Sequence, residues 1–218
     1  MLANCGRETS MVFDKDGVTM ITTSANSVAS KATFKAEFFD EYTLEKDTEE
    51  FSIVLQELAA VIKKIGYNSL TMEGNEGTLS LQADKTKFVT PLLYEADTIK
   101  TMPVIEYSNI ITTNFGKLGD ALAKMALIKT DSIKLYLEGG FFRMKTAAQI
   151  RKVETDICEQ PGEDVAVFLS KDLFGRTLIG SNEEITISID NDKPVRLLLE
   201  KNGLSLETVI APRINEEY

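Results

Sequence analysis

Between Val104 and Ala211 the spacing of apolar and polar positions changes several times, and each change marks an element. Val104–Thr112 alternates with a period of two and predicts a strand. Phe115, Leu118, Leu122 and Met125 then recur at helical spacing, predicting a helix over Phe115–Ile128 with Lys117, Ala121 and Lys124 on its other face. Ser132–Glu138, Phe141–Ala147 and Gln149–Glu159 alternate around the turn Gly139-Gly140 and predict consecutive antiparallel strands. Beyond Gln160-Pro161-Gly162, the short strand Asp164–Phe168 leads to Ser170, an N-cap for a helix over Lys171–Ile179. Glu184–Ile189, Val195–Glu200 and Leu204–Ala211 are predicted strands separated by Asp190-Asn191-Asp192 and Asn202-Gly203.

The first half repeats most of this order. Ser10–Phe13 and Val18–Thr23 flank the turn Asp14-Lys15-Asp16-Gly17, and Val28–Phe38 reads as a long strand. A helix is predicted over Ser52–Ile65, with Leu55, Leu58, Ile62 and Ile65 on its buried stripe. Ser69–Glu73, Thr78–Ala83 and Lys87–Leu93 follow as strands. Hairpin, long strand, helix and three strands thus occur twice. The second copy has an opening strand and helix; the first has only Met1–Thr9 there, so these elements are expected to be missing from it. Tyr94–Pro103 has no periodicity and reads as an extended surface connector. The expected class is α+β, with two similar units over residues 1–93 and 104–218 joined by residues 94–103.

Composition narrows the chemistry. A chain of 218 residues, 43% hydrophobic and 27% charged, has no apolar run long enough for a bilayer and no secretory signal, which places it inside a cell. Histidine is absent, which removes His-dependent acid–base catalysis, the triads built on it and the commonest zinc ligand. Cys5 and Cys158 follow no metal or redox spacing and read as reduced thiols. No phosphate-cradling G-x-x-x-x-G-K-[S/T] loop is present. Catalytic residues, cofactors and metal sites are therefore not expected. The formal charge of −10 argues against wrapping by nucleic acid, yet it leaves room for one local basic surface.

Four segments carry a resemblance. Leu206–Glu217, with Ala211-Pro212-Arg213-Ile214 inside it, resembles the closing strand and acidic tail of the PCNA (proliferating cell nuclear antigen) family of DNA sliding clamps. Ile187–Val195 is similar to the strand–turn–Pro–strand segment before that ending. Met102–Ser108 is similar to the exit of the interdomain connecting loop, and Asp14–Val18 to the first hairpin. The resemblance runs from Met11 to Glu217, and its Ala-Pro-Arg-Ile ending is archaeal-like. It implies the DNA clamp fold, with helices lining a hole and antiparallel sheets outside, in a ring usually of three subunits around duplex DNA. Polymerases and other proteins with clamp-interacting peptides would dock on one face, and a separate ATP-driven clamp loader would open the ring. Such a protein works in an archaeal cytoplasm, or in the nucleus of a eukaryote, without a membrane.

The resemblance also gives particular residues their expected roles. Lys63, Lys64, Lys117, Lys124, Lys171 and Arg176 would meet DNA phosphates; the alternative is an ordinary solvated helix face. Lys31, Lys35, Lys129 and Lys134 are further basic residues for that lining. Phe88, Ile150, Val153 and Ile157 would lie in the subunit interface, through the edges Lys85–Leu92 and Gln149–Cys158. Ile99, Met102, Pro194, Ala211, Pro212 and Ile214 would receive partner peptides; otherwise they are core and turn residues. Thr23, Ser27 and Ser30 make that floor more polar than is usual in the family. The acidic clusters Glu45–Glu50 and Asn215–Tyr218 read as solvated loop and tail. Two other functions stay open: a specialised clamp paralogue or subunit of a hetero-oligomeric, checkpoint-type ring, and an enzyme on a duplicated α+β fold.

Overall fold

Gly139 and Gly140 have φ of 59° and 81°, and Asn202 and Gly203 have 47° and 77°, so each pair reverses the chain in the left-handed conformation that a tight hairpin needs. These reversals sit in a computed structural model that describes residues 2–24, 27–65, 69–75, 77–178 and 182–213. The first half contains α1 (Leu2–Cys5), β1 (Glu8–Asp14), β2 (Gly17–Ser24), β3 (Val28–Lys35), β4 (Thr48–Val54), α2 (Leu55–Ile65), β5 (Thr71–Asn75), β6 (Thr78–Ala83) and β7 (Thr86–Pro91). The second contains β8 (Asn109–Asn114), α3 (Phe115–Met125), β9 (Ser132–Glu138), β10 (Phe141–Ala148), β11 (Arg151–Glu159), β12 (Val165–Ser170) and α4 (Lys171–Thr177). It closes with β13 (Glu184–Ile189), β14 (Val195–Lys201) and β15 (Leu204–Ile210).

These strands form an eight-stranded sheet in the order β4-β1-β2-β3-β15-β14-β13-β8, a four-stranded sheet β11-β10-β9-β12 and a three-stranded sheet β5-β6-β7. The repeat holds in register. The β1–β2 turn pairs Asp14 with Gly17, as the β9–β10 turn pairs Glu138 with Phe141, and β4 leads straight into α2 as β12 leads into α4. Where the halves join, β15 pairs antiparallel with β3, from Leu204 opposite Phe34 to Ile210 opposite Val28. Inside this seam Ser30 Oγ and Thr208 Oγ1 are 2.9 Å apart, so two buried hydroxyls satisfy each other.

The sheets' inner faces and the helices share one core. Leu118 and Met125 of α3, Ile133 and Leu135 of β9, and Phe174 of α4 are fully buried in it. Short α1 packs on α2, α4 and the inner side of β2 and β3. The first half has no counterpart of β8 among the described residues, which leaves β5 paired only with β6.

Several boundaries differ from the sequence reading. Ser52–Ile65 is not one helix: β4 precedes it, because Phe51 and Ile53 alternate with Glu50 and Ser52, and Phe51 packs edge-on against Phe13 at 5.4 Å. Glu49 and Glu50 consequently belong to a strand and not to a solvated loop. The predicted strand Val104–Thr112 begins only at Asn109. The predicted helix Phe115–Ile128 stops at Met125, and its Ala121 is buried, not on the open face. A narrow apolar stripe in sequence thus widens to include the small residue beside it. The strand from Val28 ends at Lys35, where the chain turns through Ala36–Phe38 into a cluster of Phe34, Phe38, Phe39 and Tyr42.

The late start of β8 has a local cause in Asp190. Its carboxylate accepts from Ser108 N at 2.9 Å, Asn109 Nδ2 at 3.1 Å and Lys193 Nζ at 2.9 Å, while Lys193 Nζ also donates to Glu106 O at 2.7 Å. Burial pushes this carboxyl up, but these hydrogen bonds outweigh it and hold it below the ordinary carboxylate range. A group lowered in the folded state stabilises fully above its unfolded pKa of about 3.9 and loses that contribution as pH falls below it. Asp190→Ala should cost about 1–3 kcal/mol at neutral pH. In urea denaturation the gap between parent and variant should close as pH falls from about 5 to about 2.

Candidate DNA and partner interfaces

The helices present their open faces on the side away from the sheets. On α2 the exposed residues are Gln56, Glu57, Ala60, Lys63 and Lys64. On α3 they include Lys117, Asp120 and Lys124. Lys63 and Lys64 lie in the last turn of α2, and Lys124 in the last turn of α3, where cations also suit the helix dipole. These four ammonium groups enter no ion pair among the described residues, so the faces carry mobile positive charge diluted by Glu57 and Asp120.

The third predicted pair is engaged differently. Lys171 Nζ donates to Ile128 O at 2.9 Å, in the turn that closes α3, and Arg176 pairs with Asp172 at 2.7 Å within α4. Lys31 and Lys134 do not lie on the helix side at all. Strand alternation sends both to the outer faces of their sheets, where each lines a cavity.

The connector crosses the outer face of the eight-stranded sheet. Glu50 holds it from β4: its carboxylate accepts from Ser10 Oγ at 2.5 Å and from Lys100 Nζ at 2.9 Å, which together hold Glu50 below its ordinary pKa. Thr98 Oγ1 donates to Ile21 O at 3.3 Å, and Tyr107 OH donates to Pro194 O at 2.8 Å. Burial raises the Tyr107 phenol to about 12, so it remains a donor at any physiological pH. A cavity of about 650 Å³ stays open between connector and sheet. Ile99, Met102 and Ile105 line it from above, Ile21 and Val209 from below, with Lys31 and the Arg196–Glu207 ion pair (2.6 Å) at its side.

Of the predicted peptide-binding residues, Ile99 and Met102 line this cavity, and Pro194 is tied through Tyr107 to the segment that follows the connector. Ala211 and Pro212 follow β15 past the β2–β3 turn, with Ala211 N donating to Ser27 O at 2.8 Å. Ile214 lies outside the described residues. Thr23 is half-buried on β2's outer side, whereas Ser30 points inward into the seam and does not reach the floor. Sequence reasoning missed the clasp of Ser10, Glu50 and Lys100; the alternation of Glu50 with Phe51 was the signal available for it.

The remaining predicted residues lie at two sheet edges. β7 pairs only with β6 and β11 only with β10 among the described residues. Phe88 and Val153 are half-buried on these strands, and Ile157 is buried at the bulge of β11. Ile150 is not on the edge strand: it occupies the β10–β11 turn beside Gln149, whose φ is 52°, and its side chain is 99% exposed. Lys85 likewise sits in the β6–β7 turn. No described helix is long and apolar enough to cross a membrane.

No protein-family model matches the chain. A curated relative, the DNA polymerase sliding clamp of Nanoarchaeum equitans (strain Kin4-M), is 23% identical over 175 residues, covering 77% of this chain and 69% of the relative. Among solved structures, A. fulgidus PCNA bound to the C-terminal region of FEN-1 superposes with a TM-score of 0.88 at 19% identity, over 98% of this chain and 92% of that one. PCNA from Thermococcus kodakaraensis gives 0.85 at 19% identity, over 97% and 94%. The PCNA2–PCNA3 complex of Sulfolobus tokodaii gives 0.84 at 19%, over 97% and 92%. The chain has the PCNA-type fold, α+β with antiparallel sheets, and its resemblance to the DNA polymerase sliding clamps holds in sequence as well as in structure.

Proposed function

We propose that this chain is a DNA sliding clamp without catalytic activity, which closes into a ring around duplex DNA and tethers polymerases and other DNA enzymes. Residues 1–93 and 104–218 serve as its two clamp units, and residues 94–103 as the link. The observation that carries this reading is the seam between β15 and β3. In the repeat, β7 stands where β15 stands and β11 where β3 stands, so the two open edges are counterparts of a pair already formed within the chain. An open strand edge invites pairing, and joining β7 of one subunit to β11 of the next satisfies both edges head to tail.

The internal repeat also gives the register. Thr208 opposite Ser30 corresponds to Thr90 opposite Val153, Leu206 opposite Ala32 to Phe88 opposite Thr155, and Ser205 opposite Thr33 to Lys87 opposite Asp156. The last pair sets opposite charges across the joint. Three subunits close the ring in the reading that the family supports, opened by a separate clamp loader. A ring of different subunits is the alternative; in the similar Sulfolobus tokodaii structure PCNA2 and PCNA3 form a complex.

Within the ring, Lys63, Lys64, Lys117 and Lys124 face the DNA. Lysines that meet phosphates without reading bases hold a duplex and still let it slide. Lys171 and Arg176 add charge on α4 while keeping their structural partners. The outer groove at Ile99, Met102, Pro194, Ala211 and Pro212 receives extended partner peptides; the similar A. fulgidus PCNA binds the C-terminal region of FEN-1.

Phe88→Asp would bury a charge in the joint at a cost of several kcal/mol and should turn the assembly into monomers by light scattering. An unchanged assembly mass would exclude the assigned edge. Replacing Lys63, Lys64, Lys117 and Lys124 with Ala should flatten the plot of log DNA affinity against log salt, by about 0.9 for each phosphate that is no longer neutralised. Ile99→Ala with Met102→Ala should weaken a polymerase-tail peptide by roughly 2 kcal/mol in a calorimetric titration, with no change in assembly mass.

A further inference from the structure

The two halves carry the same outer sheet face, and among the described residues only the first is covered. The register places Ser10, Ile21, Glu50 and Ser52 of the first half at the positions of Lys134, Lys145, Ala166 and Phe168 in the second. The connector lies over the first set, and its Lys100 meets Glu50. Over the second set lies an open concavity of about 560 Å³, rimmed by Asn191 and Asp192 of the β13–β14 turn.

The two grooves differ in charge: the first sets Lys31, Lys100 and Arg196 against Asp14, Glu50 and Glu207, the second Lys134 and Lys145 against Asp192. Glu50, which receives a lysine, is replaced by Ala166, while Ser10 and Ile21 are replaced by Lys134 and Lys145. These lysines stand directly opposite one another on β9 and β10, an arrangement that repels. Among the described residues neither is in an ion pair. Lys134 Nζ rests 4.8 Å from the Tyr136 ring centroid and 5.8 Å from that of Phe168, while the nearby Glu154 is taken by Lys152 at 2.7 Å and by the Tyr136 hydroxyl. In a chain of net charge −10, two apposed lysines against the single rim carboxylate of Asp192, with Glu154 opposite Lys145 already engaged, leave this groove net positive.

We propose that this second groove binds an extended acidic segment of a partner protein, laid across β9, β10 and β12 as the connector is laid across β1, β2 and β4, with carboxylates at Lys134 and Lys145. The groove borders the Ala211–Arg213 segment, since Arg213 N donates to Phe168 O at 2.8 Å. The proposal is independent of ring closure and of DNA.

The test is fluorescence anisotropy at low salt with a labelled octapeptide alternating Glu and Thr, beside its counterpart alternating Lys and Thr. The intact protein should bind the acidic peptide and not the basic one. Lys134→Glu with Lys145→Glu should weaken binding about tenfold or more, and the milder Lys134→Gln with Lys145→Gln should weaken it several-fold at an unchanged melting temperature. Lys15→Glu with Lys46→Glu, at exposed sites elsewhere, should leave it unchanged. No binding of the acidic peptide, equal binding of both peptides, or equal loss in the Lys15 and Lys46 variant would overturn the proposal. So would tighter binding of a single-stranded oligonucleotide at the same lysines, which would mark a nucleic-acid contact. Binding that appears only when the chain is shortened after Arg213 would identify the chain's own acidic end as the occupant and overturn it equally.

Discussion

A strand at the edge of a sheet leaves half of its backbone donors and acceptors without partners, and a repeated fold meets this problem at the end of each repeat. Here β15 closes the second half and β3 opens toward it, and their pairing merges two four-stranded units into one eight-stranded sheet. Everything else follows from that seam. It fixes the relation of the halves, buries Ser30 against Thr208, brings Lys31 beside the Arg196–Glu207 pair and forms the floor over which the connector runs. Among the described residues it also leaves β7 and β11 as the open copies of the same junction.

The electrostatic design is local rather than global. On the open faces of α2 and α3 an acidic chain carries four lysines that enter no ion pair among the described residues, diluted by Glu57 and Asp120. On the proposed reading these lysines suit a duplex that must move, because no single strong contact fixes its register. Where a cation has a structural task it is drawn away from such a face, as Lys171 is to Ile128 O and Arg176 to Asp172.

The outer faces show how one backbone arrangement serves different ends. The first is shielded by a connector held through Glu50, Thr98 and Tyr107, which leaves a cavity with apolar walls and a charged side. The second has the same strands, two lysines in place of a serine and an isoleucine, and nothing from the described chain across it. Side chains and the course of the connector, not strand order, separate the two surfaces.

Hydrophobic periodicity by itself determined the order of strands and helices from Phe115 to Ile210, with ends that differ by up to about three residues, because alternation and helical spacing are local properties that glycine pairs and Ser170 punctuate. It failed at β4, where a strand runs without a break into a helix and charged residues alternate with Phe51 and Ile53, and at Val104–Ser108, where alternation is present but Asp190 holds the backbone in another path. The lysines of α2 and α3 were legible as an open face because that face follows from spacing within one helix. What lies across the chain was not: the burial of Ala121, the turn position of Ile150, the outward course of Lys31 and Lys134, and the clasp of Glu50 on Lys100. Those depend on which strand neighbours which and on which side of a sheet a residue falls, and only the tertiary pairing of distant segments decides either.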